Sequence, residues 1–256
     1  MFSLRRVAQR TTLLAAAGAV SGAGLLVVQL LAARTREYAK PDLRLAMRAA
    51  VGPPGRSPVR LVLLGDATAL GVGVDQVADT VGGQLATMLA EGTPGRRVDL
   101  WSVAVARSRS ADLAIQVARA LVGPRPDVAV ILVGASDATH ASRPVHAANQ
   151  LGSAVRRLHE AGVVVVVGTC PDLGALRAFA TPLRQLLGRY GRRLAAEQAA
   201  AVRAAGGIPV DLGARTGAVF RADAGTLCHD GFHPSADGYR IWAHALLPAV
   251  ETALPR

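Results

Sequence analysis

From Val59 onward, short runs of aliphatic, mostly β-branched residues alternate with longer stretches of amphipathic, helical periodicity. Uninterrupted apolar runs are typical of parallel strands that are buried on both faces, and the stretches between them supply the helical crossovers. The pattern therefore predicts a three-layer α/β/α domain. The predicted strands are Val59–Leu64, Val98–Val103, Val128–Val133, Val163–Gly168 and Ile208–Leu212. The predicted helices cover 78–91, 110–121, 145–161, 182–205 and 236–253.

In sheets of this kind, ligands bind outside the carboxyl ends of the strands. Applied to this chain, the rule predicts one cleft formed by the segments that follow the first three strands and the segment that precedes the last helix. These are Ala67 with its neighbours, 104–110, 134–137 and 228–233.

The last of these segments carries the most specific chemistry. Asp230 stands three residues before His233, and Pro234 follows directly. The proline fixes its own φ and biases His233 away from helical conformation, and Ser235 can cap the next helix. A stiff loop that holds an imidazole beside a carboxylate is suited to a general base and its orienting group. The alternative interpretation is a capped helix start with an ordinary surface histidine.

Four short motifs together resemble those of the SGNH (GDSL-type) hydrolases, and the resemblance covers about residues 59–254. The motifs are Gly65–Gly73 (Gly-Asp-Ala-Thr-Ala-Leu-Gly-Val-Gly), Ala104–Asp112, Gly134–Asp137 (Gly-Ala-Ser-Asp) and Asp230–Pro234 (Asp-Gly-Phe-His-Pro). The resemblance implies a five-stranded parallel sheet in flavodoxin-like order, and hydrolysis of lipid or carbohydrate esters as the family activity.

The resemblance also assigns roles, and this sequence departs from three of them. Asp230 and His233 match the orienting carboxylate and the base. In the family, a serine after Gly-Asp is the nucleophile, and a glycine N–H and an asparagine side chain complete the oxyanion hole. Here these positions are Ala67, Arg107 and Ser136. A methyl group cannot attack a carbonyl, so we expect serine-dependent activity to be lost or severely weakened, and the cleft to serve binding.

Four further residues are expected to line the cleft or to tie its turns. They are Gly65, Asp66, Gly134 and Asp137.

A rival hypothesis keeps the enzyme active through a substitute nucleophile or a water activated by His233. The candidate nucleophiles are Thr68, Ser108, Ser136 and Cys170. A third hypothesis makes the domain a scaffold that interacts only through its membrane segment.

The N-terminal part predicts a membrane attachment. A basic tail covers 1–10, and residues 11–33 carry no charge, which is long enough for an uncleaved anchor and too long for a typical signal peptide. We expect a single-pass anchor with an extracytoplasmic domain. Residues 34–58 are predicted to be a stalk with a short helix at 43–50, and the hydrolase-like domain to occupy 59–256.

The remaining features have simpler interpretations. The net charge of +11 comes from arginine, with Lys40 the one lysine, and no nucleic-acid motif accompanies it. The expected partners are membrane lipid through residues 11–33, and a small acyl ester or a protein at the cleft. The sequence has neither metal-ligand spacing nor a dinucleotide fingerprint, so no metal and no cofactor are expected. Cys170 and Cys228 are either two buried thiols or one disulfide, and His140 and His146 are expected at the surface.

Overall fold

The computed structural model describes residue 22 and residues 24–33, 35–41, 48–54, 58–92 and 95–254. The predicted basic tail and most of the predicted anchor, 11–21 and 23, lie outside the described residues. Within the described residues, 24–33 form a helix, α1.

One sheet of six strands runs through the domain in the order β1-β3-β2-β4-β5-β6. The last five strands are parallel, and their order is the flavodoxin-like one that was predicted. The strands are β1 Arg48–Val51, β2 Val59–Gly65, β3 Val98–Ser102, β4 Val128–Leu132, β5 Val164–Gly168 and β6 Ile208–Val210.

The sixth strand corrects the prediction of five parallel strands. Arg48–Val51 pairs antiparallel with β3, with Val51 opposite Val98. This segment was predicted to be part of a stalk and the end of a short helix. Its Arg-Ala-Ala sequence favours a helix locally, but the free edge of β3 offers a full ladder of backbone partners, and tertiary pairing overrides propensity.

Helices cover both faces of the sheet. Along β2, Leu61 and Leu63 enter one apolar core, and Val62 and Leu64 enter the other. Alternate residues of a strand point to opposite faces, so each predicted buried run supplies two cores at once. The helices are α2 Ala67–Leu70, α3 Val81–Glu91, α4 Leu113–Ala120, α5 Ala135–Thr139, α6 Pro144–Glu160, α7 Leu183–Ala204, α8 Leu212–Ala222 and α9 Ala236–Ala253.

Three of these helices were not predicted. α2 and α5 are single turns that follow β2 and β4, and they are too short to produce a periodic pattern. α8 begins at Leu212, where the sequence predicted the end of a strand. Asp211 stops β6 and caps α8, because its side chain accepts a hydrogen bond from the Ala214 N–H at 2.9 Å.

The helix α1 packs against the domain. Leu26 and Ala33 contact the core that α3 and α9 share. Gln29 donates to the Thr181 carbonyl at 2.7 Å and accepts from the Leu183 N–H at 3.1 Å. Among the described residues, no helix combines the length and apolar character needed to cross a membrane.

Candidate active site

The loop between residues 227 and 235 holds Asp230 and His233 together. Asp230 Oδ2 lies 2.6 Å from His233 Nδ1, and the two side chains are 0 % and 7 % exposed. The other carboxylate oxygen, Oδ1, accepts from the backbone N–H groups of Phe232 at 2.7 Å and His233 at 2.9 Å. These contacts fix the carboxylate within its own loop, as the Asp-x-x-His-Pro spacing predicted.

Hydrogen bonding keeps Asp230 ionised. Burial alone would raise the pKa of this carboxyl, but the hydrogen bonds from the His233 ring and backbone, Ala39 and Phe232 outweigh burial and hold it far below its usual range. An ionised carboxylate at Nδ1 leaves the opposite nitrogen, Nε2, to act on a proton in the cleft.

Ala67 stands at the first position of α2, directly after β2. Asp66 caps this turn, with Oδ1 accepting from the Thr68 N–H at 3.0 Å and the Thr68 hydroxyl at 2.8 Å. Gly65 has φ +133°, and a side chain there would collide with the Leu132 carbonyl. The strand therefore turns sharply at Gly65 and presents the partly exposed Ala67.

Gln116 of α4 fixes this turn through its side-chain amide, although the sequence did not single this residue out. Its side chain accepts from the Gly65 N–H at 2.7 Å and donates to the Gly65 carbonyl at 2.9 Å. The same amide nitrogen lies 3.0 Å from Ser108 Oγ. A lone glutamine on an amphipathic helix carries no sequence signal for this role, because the role depends on two elements 51 positions apart.

Arg107 adopts the left-handed conformation, with φ +67°. An arginine backbone is more restricted than that of a glycine. Arg107 nevertheless takes the conformation that glycine favours, at a cost of about 1–2 kcal/mol. The side chain of Arg107 is exposed, whereas the next residue, Ser108, is buried.

The turn after β4 carries the third set of predicted residues. Gly134 has φ +145° and lies against Cys170, whose Cβ would be 2.9 Å from an added methyl group. Ser136 is partly exposed in the first turn of α5. Asp137 is buried and binds Ser110, whose hydroxyl lies 2.8 Å from Oδ2. Asp137 thus ties the turn after β4 to the segment after β3.

Burial raises the pKa values of Asp66 and Asp137, although hydrogen bonds from Thr68 and Ser110 oppose it. An electrostatic interaction with His233 also lowers the pKa of Asp66. Asp66 and Asp137 are buried, and each ties the turn in which it lies.

Direct contacts bring the first and last motifs together. The Tyr239 hydroxyl of α9 donates to the Val72 carbonyl at 2.7 Å, and an added side chain at Gly73 would reach the Pro234 carbonyl. Beside them, Thr68 and Ala135 line an apolar cavity of about 20 Å³ together with residues around Phe232 and Trp242. Such a volume holds about one water molecule.

Residues 35–41, hereafter the strap, also reach this loop, although they were predicted to be a stalk. The Ala39 N–H donates to Asp230 Oδ2 at 2.9 Å, and Arg36 donates to the Asp230 carbonyl at 3.1 Å. The Tyr38 ring packs edge-on against Phe232. These contacts join positions about 190 residues apart in the chain, which no local pattern could reveal.

The other candidate histidines lie at the surface, whereas the two cysteines lie beside the site. His140 is exposed and its Nδ1 lies 2.8 Å from the Ser136 carbonyl, and His146 is exposed on α6. Cys170 and Cys228 are both free thiols. Among the described residues, no group of three His, Cys, Asp or Glu side chains has an arrangement that could hold a metal.

A buried Asp–His pair therefore lies at the carboxyl edge of a doubly wound α/β/α sheet, where ligands bind in this class of fold. The chain belongs to the GDSL-like lipase/acylhydrolase family, whose model matches residues 63–241. The GDSL-like esterase Rv1075c of Mycobacterium tuberculosis is 44 % identical over 198 residues, which are 77 % of this chain and 63 % of that protein. The chain therefore spans less than two thirds of the length of this relative.

Solved structures share the fold at lower identity. TesA covers 76 % of this chain and 99 % of its own, with 18 % identity and a TM-score of 0.60. The acetyl xylan esterase AlAXEase covers 75 % and 100 %, with 17 % identity and a TM-score of 0.58. A catalytic mutant of the acetylxylan esterase Axe2 from Geobacillus stearothermophilus, in which alanine replaces a serine, covers 78 % and 95 %, with 19 % identity and a TM-score of 0.54.

Proposed function

We propose that this member of an esterase-type hydrolase family has lost serine-dependent ester hydrolysis and uses its cleft to bind a small acyl ester or a protein partner. The observation that carries the proposal is Ala67, which occupies the partly exposed first position after the Gly65-Asp66 turn. Removing the serine of a catalytic triad typically costs a factor of about 10⁶ in turnover.

The neighbouring hydroxyl groups support this proposal because they are already engaged. The Thr68 hydroxyl donates to Asp66 at 2.8 Å, and Ser108 Oγ accepts from Gln116 at 3.0 Å. A nucleophilic oxygen must instead lie within hydrogen-bond reach of the base that activates it.

The thiols are poorly suited as replacements. Burial raises the pKa of Cys228 to about 11, and its thiol donates to Asp230 Oδ1 at 3.1 Å. Burial, with the charge of Asp66, raises the pKa of Cys170 even further. Thiolates are the nucleophilic form of cysteine, so both residues would be inert near neutral pH.

The intact Asp230–His233 pair favours a second candidate function, slow hydrolysis by a water that His233 activates. Of the candidate hydroxyl nucleophiles Thr68, Ser108 and Ser136, the third is left, and it is partly exposed. In this alternative, the wild-type chain hydrolyses activated esters and loses that activity when His233 is replaced.

Hydrolysis of p-nitrophenyl acetate and butyrate by the full chain distinguishes the two candidates. We expect the wild type to match a His233→Ala control, and Ala67→Ser to gain a rate that disappears in the Ala67→Ser/His233→Ala double variant. Wild-type turnover that depends on His233 would contradict the proposal and support the water or the substitute nucleophile.

We also propose that residues 11–33 hold the chain at a membrane, with the domain on the extracytoplasmic side. The absence of charge over 23 residues supports this, as do the exposed apolar side chains of α1. The full chain should then float with phosphatidylcholine vesicles in high salt. Release by salt alone would indicate an electrostatic contact and contradict insertion.

A further inference from the structure

Among the described residues, the carboxylate of Asp230 receives one donor from outside its own loop. Its Oδ2 accepts from His233 Nδ1 at 2.6 Å and from the Ala39 N–H of the strap at 2.9 Å. The two donors converge on one oxygen, so the strap contributes directly to the hydrogen bonding that orients the imidazole.

The strap is held at this place by its side chains. Arg36 donates to two carbonyls, those of Asp230 at 3.1 Å and Ala178 at 3.4 Å. The Tyr38 ring centroid lies 5.3 Å from that of Phe232, and the Phe232 centroid lies 4.9 Å from that of His233. The His233 ring is therefore packed in a row of edge-to-face rings whose outer member belongs to the strap.

The helix before the strap fixes its position along the domain. Gln29 of α1 forms the two hydrogen bonds already described, one to the Thr181 carbonyl and one from the Leu183 N–H. Because a buried carboxylate with several fixed donors keeps one orientation, each donor contributes to the geometry that the base requires.

We propose that the strap is a positioning element of the active site, with the Ala39 N–H holding Asp230 Oδ2 in line with His233. Spectroscopy tests this independently of whether the site is catalytic. The effect of the strap on turnover is measured in the Ala67→Ser background, and this part of the test rests on the function proposed above.

The variant that tests the contact is Ala39→Pro, because proline lacks the N–H donor. Ala39→Ser keeps the donor, and Glu37→Gln changes an exposed neighbour on the same strap. The full chain in detergent micelles, with ¹⁵N-labelled histidine, gives the Nδ1 proton resonance of His233, which a strong hydrogen bond to a carboxylate shifts to low field.

We expect Ala39→Pro to move this resonance upfield or to remove it by solvent exchange, and both controls to keep it. In the Ala67→Ser background, Ala39→Pro should lower kcat about tenfold, the effect of one charge-assisted hydrogen bond, and leave KM unchanged. An unchanged resonance in a folded Ala39→Pro chain would overturn the proposal.

If the proline prevents folding, Arg36→Ala removes only a side chain and provides the same measurement, with the same expected and contradicting results. If Ala67→Ser is inactive in every background, turnover provides no readout, and the resonance alone decides the role of the strap.

Discussion

The two halves of the cleft differ in which of the family's site residues they carry. The half around Asp230 and His233 keeps its side chains and its hydrogen bonds. The half around Ala67 and Arg107 carries an alanine and an arginine where the resemblance implies a serine and a glycine, and its backbone turns sharply at Gly65 and is left-handed at Arg107.

The difference shows that backbone geometry and side-chain chemistry are separable constraints. The turn at Gly65 is enforced by packing, since the Leu132 carbonyl leaves no room for a side chain and Gln116 binds both peptide groups of the glycine. Nothing in that packing requires an oxygen on residue 67. The fold therefore fixes the position of residue 67 independently of its side chain.

The largest predicted effect tests whether the preserved half still works. In the Ala67→Ser background, Asp230→Asn should lower kcat by a factor of up to about 10⁴, because the imidazole loses its orienting charge. The control Asp237→Asn changes an exposed carboxylate that pairs with Arg240 in the first turn of α9 and should leave kcat unchanged. Equal kinetics for both variants would mean that the pair no longer functions as a unit.

The second prediction compares Asp230, whose pKa is lowered by folding, with Asp66, whose pKa is raised. The pKa of Asp230 is lowered by folding, so its stabilisation is present above its unfolded pKa of about 3.9 and is lost as the pH falls below that value. The pKa of Asp66 is raised, so its ionisation opposes folding, and stability decreases as the pH rises from about 3.9 through the folded pKa.

Denaturant unfolding between acidic and neutral pH measures both slopes. Asp230→Asn should cost about 2–3 kcal/mol at neutral pH and should flatten the loss of stability in acid. Asp66→Asn should keep its acceptor for Thr68, increase stability at neutral pH and remove the opposite slope. The contrast between the halves would disappear if both variants changed the profile in the same direction.

The smallest predicted effect concerns the strained backbone of the altered half. Arg107→Gly should stabilise the fold by up to about 1 kcal/mol, since relief of left-handed strain exceeds the extra entropy of an unfolded glycine. Arg109→Gly is the matched control, because Arg109 is extended at φ −104° and should lose stability as glycine. The free energy of unfolding of each variant decides this, and destabilisation by Arg107→Gly would mean that its side chain contributes more than its backbone costs.

The central part of the fold could be predicted from sequence because its signals are local. Val128–Leu132 is buried at every residue, and a continuous apolar run already indicates such a strand. Asp230 and His233 are linked by a three-residue spacing within one loop, so the motif predicted their contact.

The remainder depends on contacts between distant segments. The antiparallel strand at Arg48–Val51 exists because β3 had a free edge, and its own sequence favours a helix. The roles of Gln116 and Ala39 depend on partners 51 and 191 positions away. A backbone N–H such as that of Ala39 is present at nearly every residue, so the residue type at position 39 could not predict this contact.

Because the strap is short, it limits the distance between α1 and the cleft. Ala33, at the end of α1, and Ala39, on Asp230, are six residues apart, a reach of at most about 20 Å even when fully extended. Any surface that holds the apolar side of α1, with Val28 62 % and Leu31 56 % exposed, keeps the cleft within that radius. Ligands would then arrive by lateral diffusion within a layer, where the local concentration is set by area rather than by bulk volume.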